Sequence, residues 1–178
     1  VIDALRAATS PDRVRVGSTE LGLYRRDASN LDGDAGVVCF PLTTEEVQEV
    51  IQVCQRFQVP FVARGAGTGL AGGAVPLDGA VVIATTKMNR VISVDDVNRF
   101  AWVEPGVLNL DLTRQMSQRG LHFAPDPSSQ QSCSIGGNVA NNSGGPHCLA
   151  DGVTASHVLA LEVVLGDGSV VMLGGEEP

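Results

Sequence analysis

The clearest pattern in the chain begins at Thr43-Thr44-Glu45-Glu46 and continues with Val47, Val50, Ile51 and Cys54 at i, i+3, i+4 and i+7. That spacing lines one face of a helix, and a threonine three residues ahead of a glutamate satisfies free N–H groups of the first turn. A helix ending near Phe57 is expected. Short apolar runs flank it: Val37–Phe40, closed by Pro41, and Val59–Arg64. Both have strand length and end at chain breakers. Ala80–Ala84 is a further strand, and Val91–Val94 and Phe100–Val103 form a pair across the turn Asp95-Asp96-Val97-Asn98. A second helix is expected from Asn109 as its cap, with Leu112 and Met116 inward, Asp111 in the first turn, Arg114 and Arg119 late, and Gly120 as its stop. Val158–Leu165 and Ser169–Leu173 read as a hairpin joined by Gly166-Asp167-Gly168. Residues 1–36 carry weak signals: helical character at Val1–Ala8, then a polar loop rich in Asp and Arg. The expected division is therefore an N-terminal extension and loop over residues 1–36 and a main domain over 37–178. Short strands, two clear helices and no strict βαβ rhythm place the chain in the α+β class.

Composition narrows the functional classes. The 178 residues are 43% hydrophobic and 18% charged, a balance that builds a core and argues against disorder. Twelve basic against twenty acidic residues give a net charge of −8. With Lys87 the single lysine and no basic block, neither nucleic acid nor an anionic membrane is an expected partner. No apolar run approaches the roughly 20 residues of a membrane span. The N-terminus has neither the basic nor the apolar region of a signal peptide. The four cysteines (Cys39, Cys54, Cys133 and Cys148) lack a C-x-x-C or zinc-ligand spacing, so they read as free thiols of a reducing compartment.

Glycine changes the picture. Nine of the 21 glycines fall in two windows, Arg64–Gly73 and Ser134–Gly145. The first contains a literal G-x-G-x-x-G, Gly67 to Gly72, just after a predicted strand. A Rossmann turn needs a helix to open at the last glycine. Here Gly73, Pro76 and Gly79 follow, and then another strand. No Gly-Lys-Ser/Thr occurs, so a Walker A loop is excluded too. What remains is the physics these loops share. With few Cβ atoms, successive backbone N–H groups can converge on an anion. Thr68 adds a hydroxyl, and Arg64 a permanent charge at the entry. The bland alternative is a glycine-rich surface turn, but five glycines in ten residues exceed what a turn requires.

The second window follows a stiff approach, Pro125-Asp126-Pro127-Ser128-Ser129. Its run of small residues, with Ile135, Val139 and Ala140 the only apolar ones between Ser134 and Gly145, is not expected to form a packed element. It is expected to lie flat against a large ligand, Gly136-Gly137 allowing close approach and Asn138, Asn142 and Ser143 bonding ring or ribitol oxygens. A disordered low-complexity loop is the alternative, opposed by its position between a capped helix and a hairpin. Two backbone-rich windows suit a ligand with a charged middle and a long, partly aromatic body. A dinucleotide fits, though these features do not choose between flavin and nicotinamide.

At these residues the chain resembles the FAD-binding domain of the p-cresol methylhydroxylase / vanillyl-alcohol oxidase superfamily, and within it the flavin subunits of glycolate oxidase and D-lactate dehydrogenase type. The matching stretches are Pro60-Phe61-Val62-Ala63-Arg64-Gly65-Ala66-Gly67-Thr68-Gly69-Leu70-Ala71-Gly72-Gly73-Ala74, Pro125-Asp126-Pro127-Ser128-Ser129 and Cys133-Ser134-Ile135-Gly136-Gly137-Asn138-Val139-Ala140-Asn141-Asn142-Ser143-Gly144-Gly145, with Gly152 and the Leu159–Val164 strand also fitting.

The resemblance implies a two-lobed FAD-binding domain of the p-cresol methylhydroxylase type, truncated before its C-terminal end and lacking a substrate cap. It implies that Arg64, Gly65, Ala66, Gly67, Thr68, Gly69, Leu70, Gly73 and Ala74 hold the pyrophosphate. Pro125, Asp126, Ser129, Cys133, Ile135, Gly136, Gly137, Asn138, Ala140, Asn142, Gly144 and Gly145 would line the isoalloxazine and ribityl chain. Gly152 and Val163 would lie by the pyrophosphate or adenine. The first loop contains no histidine for covalent attachment, so the FAD is expected to be dissociable. The implied activity is oxidation of small 2-hydroxy acids such as glycolate or D-lactate. The alternatives are a D-2-hydroxyglutarate dehydrogenase and a non-catalytic FAD-binding module that needs a cap or partner. An iron–sulfur or other electron-accepting subunit is an implied partner, and a cytoplasmic location, with membrane contact only through that partner, is implied as well. No catalytic base is assigned.

Single residues read blandly. His147, just past Gly144-Gly145, is expected to pack or hydrogen-bond within its loop; His122 and His157 are structural. Cys133 is a small residue beside the ring system, not a nucleophile, and Asp126 orients its loop. His147, Cys148 and Asp151 lack a second cluster at ligand spacing, so no metal site is expected.

Overall fold

Strand β1 (Val14–Arg15) and strand β2 (Ala35–Cys39) pair antiparallel at one edge of a four-stranded sheet. Helix α3 (Thr44–Phe57) follows β2 and returns the chain to strand β3 (Phe61–Arg64). Strand β4 (Ala80–Ala84) then inserts between β2 and β3, parallel to both, giving the order β1-β2-β4-β3. The computed structural model describes residues 1–175. Every residue of β4 is buried, which is what an unbroken apolar strand at the centre of a covered sheet requires.

The period of two along the strands, shifted once by an irregularity between Ala35 and Val37, divides their side chains between the two faces of this first, sheet-centred core. Val37, Cys39, Val81 and Ile83 meet Val50, Ile51 and Cys54 of α3 on one face. Ala35, Val38, Val82 and Ala84 meet Leu21 and Tyr24 of helix α2 (Ser18–Tyr24) on the other. Helix α3 starts as expected, the Thr43 hydroxyl accepting from the Glu46 N–H at 3.3 Å. The Glu46 carboxylate reaches past the cap instead, accepting from Leu42 N–H at 2.7 Å and pairing with Arg13.

Residues 1–36, expected as an extension and loop, supply part of this core. Leu5 of helix α1 (Ile2–Ala8) is fully buried, and Val14 is buried with it. Each short N-terminal element contributes only one or two apolar contacts, too few to set up a readable period.

A second core is formed by Val107, Leu112, Met116 and Ile135, with Val91, Val94, Val103, Leu121 and Phe123 against it. Around it lie the antiparallel strands β5 (Val91–Asp95) and β6 (Phe100–Val103), and helix α4 (Asn109–Ser117). The sheet, packed on both faces, and this separate cluster give the mixed, two-lobed arrangement expected. Strands β7 (Ala160–Val164) and β8 (Val170–Gly174) form the expected antiparallel hairpin, and Val164 packs against the first core.

Two local expectations are overturned. Leu108, not Asn109, is the N-cap of α4, and no side chain caps it; Asn109 is the first helical residue and is buried. The second glycine window does form a packed element, helix α5 (Ile135–Asn141). The Ser134 hydroxyl caps it by accepting from Gly137 N–H at 3.4 Å, Ile135 anchors it in the second core, and Asn142 ends it in a left-handed turn. Two glycines are poor helix formers alone, but they let the helix approach a neighbour. A Cβ at Gly136 would sit 2.7 Å from the Pro105 Cβ.

Candidate functional site

The β3–β4 crossover is made by the first glycine window, with no helix in it. It leaves β3 at Arg64, whose side chain turns inward. The Arg64 guanidinium is buried, donates to the Ala74 carbonyl at 3.3 Å, and stacks over the Tyr24 ring at 5.5 Å. Burial lowers its basicity, against the opposing pull of Tyr24 and Asp27. The charge expected at the loop's entry is therefore there, but it is turned inward and props the loop from inside.

The loop itself is backbone. Gly67 and Gly69 carbonyls both accept from Ala28 N–H at 3.1 Å, which ties the loop to the residue 25–34 turn. The N–H groups of Ala66, Gly67, Thr68 and Gly69 have no protein acceptor among the described residues. Four donors in succession, with hardly any side chain to screen them, are chemically suited to an anion such as a diphosphate. Leu70 and Gly73 lie at the exposed outer end of the window.

The two glycine windows meet. A Cβ on Gly65 would collide with the Ser134 hydroxyl, the group that caps α5, and one on Gly69 would lie 3.5 Å from the Asn141 side chain. A cleft of about 210 Å³ opens at this junction, walled by Ala66, Ser134, Thr86, Asn89, Leu108 and Asp111 among others. That is below the roughly 300–1,000 Å³ of a full small-molecule site. A cleft of that size has room for one part of a dinucleotide and not for the whole.

The Pro125–Ser129 stretch closes on the far end of the second window. A Cβ on Gly145 would collide with the backbone and carboxylate of Asp126, and His147 Nδ1 lies 2.5 Å from Asp126 Oδ2. The hydrogen bond to Asp126 raises the His147 pKa, and the same bond lowers that of Asp126. The expected orienting role of Asp126 and the loop role of His147 thus coincide in one contact. The Ser129 carbonyl accepts from Ser132 and Cys133 N–H, both at 2.8 Å, turning the chain toward α5.

Several expected ligand contacts are spent internally. The Asn138 side chain is fully buried and bonds to Cys133, and Asn142 Oδ1 accepts from Ala155 N–H at 2.9 Å. Cys133 and Ile135 are buried, so only their backbone could meet a ligand. Ala140 is exposed, while Gly136, Gly137 and Gly144 are partly exposed along the same stretch. Gly152 ends helix α6 (Cys148–Asp151) and is carried toward the second window by Thr154, whose N–H and hydroxyl both bond the Ser143 carbonyl, at 2.9 and 2.7 Å. Val163 stands apart, opposite Val171 in the middle of β7. No group of three or more His, Cys, Asp or Glu could hold a metal among the described residues. Among the described residues no helix is long and apolar enough to cross a membrane.

Two residues of this region gave no functional signal in the chain: Asn109, whose side chain reaches the Pro125 carbonyl, and Thr154. A polar residue at a helix start reads as a cap, and its burial is decided by what packs over it.

Comparison with known proteins agrees with this geometry. A family model described as an FAD binding domain matches residues 35–174. The chain is 45% identical over 140 residues to the glycolate oxidase subunit GlcD of Escherichia coli (strain K12), covering 79% of this chain and 28% of that one. It is 38% identical over 167 residues to a D-lactate dehydrogenase of Anaerostipes hadrus, covering 93% of this chain and 35% of that one. The chain thus spans about a third or less of the length of these relatives. Among solved structures, p-cresol methylhydroxylase with substrate bound superposes with a TM-score of 0.81 at 24% identity, over 96% of this chain and 34% of that one. An alkyldihydroxyacetonephosphate synthase does so with a TM-score of 0.88 at 20% identity, over 97% and 34%. These two likenesses concern the fold. The chain belongs to the FAD-binding domain family, with FAD as its cofactor and the p-cresol methylhydroxylase type of fold.

Proposed function

We propose that this chain is the FAD-holding part of an oxidoreductase acting on small 2-hydroxy acids, of the glycolate or D-lactate kind. The observation that carries the reading is the junction of the two glycine windows, where Gly65 lies against Ser134 beside four unspent N–H donors. That cradle suits the cofactor's diphosphate, and the similarity to GlcD and D-lactate dehydrogenase supports the substrate class. When bound, FAD supplies the acceptor for the hydride equivalent from the substrate's α-carbon. The protein contributes orientation. Ala66–Gly69 hold the diphosphate, the Pro125–Ser129 and Gly144–Gly145 stretches frame the ring system, and Gly152 lies by the diphosphate or adenine.

The first loop has no histidine to attach flavin, which supports a dissociable cofactor. We assign the electrons onward to an iron–sulfur or other accepting subunit, and the protein to the cytoplasm, with membrane contact only through that partner. Four cysteines without a disulfide support a reducing compartment.

The chain's share of its relatives' length, 28% of one and 35% of another, favours a second reading: an FAD-binding module that turns over substrate only with further parts. Reconstitution with FAD followed by anaerobic addition of glycolate, D-lactate or D-2-hydroxyglutarate tests both. Bleaching of the visible flavin band by glycolate or D-lactate supports the first reading. Flavin binding without bleaching supports the second, bleaching by D-2-hydroxyglutarate alone moves the substrate class, and failure to bind flavin overturns all of them. Flavin colour that stays with acid-precipitated protein would overturn dissociable binding.

A further inference from the structure

The buried amide of Asn109 lies at the point where the three motif stretches converge. Its side chain, 1% exposed, donates from Nδ2 to the Pro125 carbonyl at 2.9 Å and reaches the Asn138 Oδ1 at 3.5 Å. Asn138 is wholly buried and in turn contacts the Cys133 sulfur at 3.5 Å. The backbone reinforces the cluster. Asn109 N–H donates to the Cys133 carbonyl and Leu110 N–H to the Gln130 carbonyl, both at 3.0 Å. The first turn of α4 is thereby tied to the chain entering α5.

The Pro125–Ser129 stretch explains why a side-chain donor is needed. Two of its residues, Pro125 and Pro127, have no N–H and cannot join a backbone ladder. Pro125 is fully buried, so its carbonyl has no access to water and depends on a protein donor. Asn109 provides it from the opposite element. A carboxylate at this position could accept but not donate, and an aliphatic side chain could do neither.

We infer that Asn109 is a positioning residue for the flavin site: by holding the Pro125 carbonyl and the Asn138 side chain together, it sets the Pro125–Ser129 loop in register with α5. The inference rests on the FAD site described above and adds a residue whose side chain is buried among protein groups. Its effect is carried through the Pro125 carbonyl to Asp126, which packs on Gly145.

The test compares Asn109→Asp and Asn109→Leu with the unchanged protein, measuring FAD dissociation constant and the visible circular dichroism of bound flavin well below the unfolding temperature. Leu5→Ala, in the other core, serves as a control for lost stability. The expected result is a dissociation constant raised on the order of tenfold in both Asn109 variants, the size of one forfeited buried hydrogen bond, with an altered flavin dichroism and no such change in Leu5→Ala. Unchanged affinity and dichroism in a folded Asn109 variant would overturn the inference, as would losses that the Leu5→Ala control reproduces at equal loss of melting temperature. Asn109→Asp preserves shape and volume, so it remains informative where the leucine variant does not fold. Absence of flavin binding by the unchanged protein would overturn the FAD site itself, and the inference with it.

Discussion

Gly65 lies against Ser134 so closely that a methyl group on its Cα would collide with the serine hydroxyl. Ser134 caps α5 through Gly137 N–H and is itself 1% exposed, so it can yield only by giving up that cap. One contact therefore controls both the spacing of the two windows and the start of α5.

Gly65→Ala is expected to weaken FAD binding about fivefold or more, because the collision either parts the windows or releases a cap worth about 1 kcal/mol. Gly145→Ala should be at least as severe, since its neighbour is the Asp126 backbone, which cannot rotate away. Fluorescence titration with FAD checks both. Affinity equal to that of the unchanged protein in a folded Gly145→Ala variant would separate this contact from the site.

The His147–Asp126 pair makes the second window sensitive to pH. His147 has a raised pKa, so its share of the pairing is complete below the ordinary imidazole value of about 6.5 and is lost as pH rises through the raised value. Asp126 has a lowered pKa, so its share is present above the ordinary carboxylate value of about 4 and is lost only in more acid solution. The pairing is strongest between those limits. Both groups meet water, so the effect is small. FAD affinity should fall a few-fold as pH rises from the ordinary imidazole value of about 6.5 through the raised one, and His147→Gln should flatten that profile.

Leu5→Ala should destabilise the protein by about 2–5 kcal/mol, the range for emptying a fully buried leucine site. Denaturant unfolding measures it. A loss under about 0.5 kcal/mol, typical of a surface position, would show that residues 1–36 are an appendage and not part of the first core.

Of the four cysteines, Cys39, Cys54 and Cys133 are buried and Cys148 is exposed. Burial pushes the Cys39 thiol up to about 12 and the Cys54 thiol up to about 11. A thiol-specific reagent should modify Cys148 alone in the native protein and the other three only after unfolding. Early modification of Cys39 would contradict the packing of β2 against α3.

Elements whose apolar residues repeat over several turns or alternations were legible in the chain. Helix α3, strand β4 and the β7–β8 hairpin lie within a few residues of where their patterns put them. Helix α5 was not legible, because Gly136 and Gly137 lower helix propensity and the cost is offset by tertiary contacts, the approach to Pro105 and the burial of Ile135, together with the Ser134 cap. The two glycine windows stood out as candidate cofactor loops for the opposite reason. A run nearly free of Cβ atoms has few uses other than close backbone approach, so its composition discloses its chemistry without any partner being known.

By itself, then, the order of residues determined the α+β class, the main strands and helices, and the two stretches able to meet a dinucleotide. Tertiary structure decided which of their groups remain available. It turned Arg64 inward onto Ala74 and Tyr24, spent the Asn138 side chain and the Asn142 Oδ1 on neighbouring protein groups, and left the Ala66–Gly69 N–H groups with no protein acceptor among the described residues. The physical reason is that composition and periodicity are local, whereas the partner of a buried polar group comes from a distant part of the chain. Asn109 and Pro125 are sixteen residues apart and meet only because α4 packs beneath the proline loop.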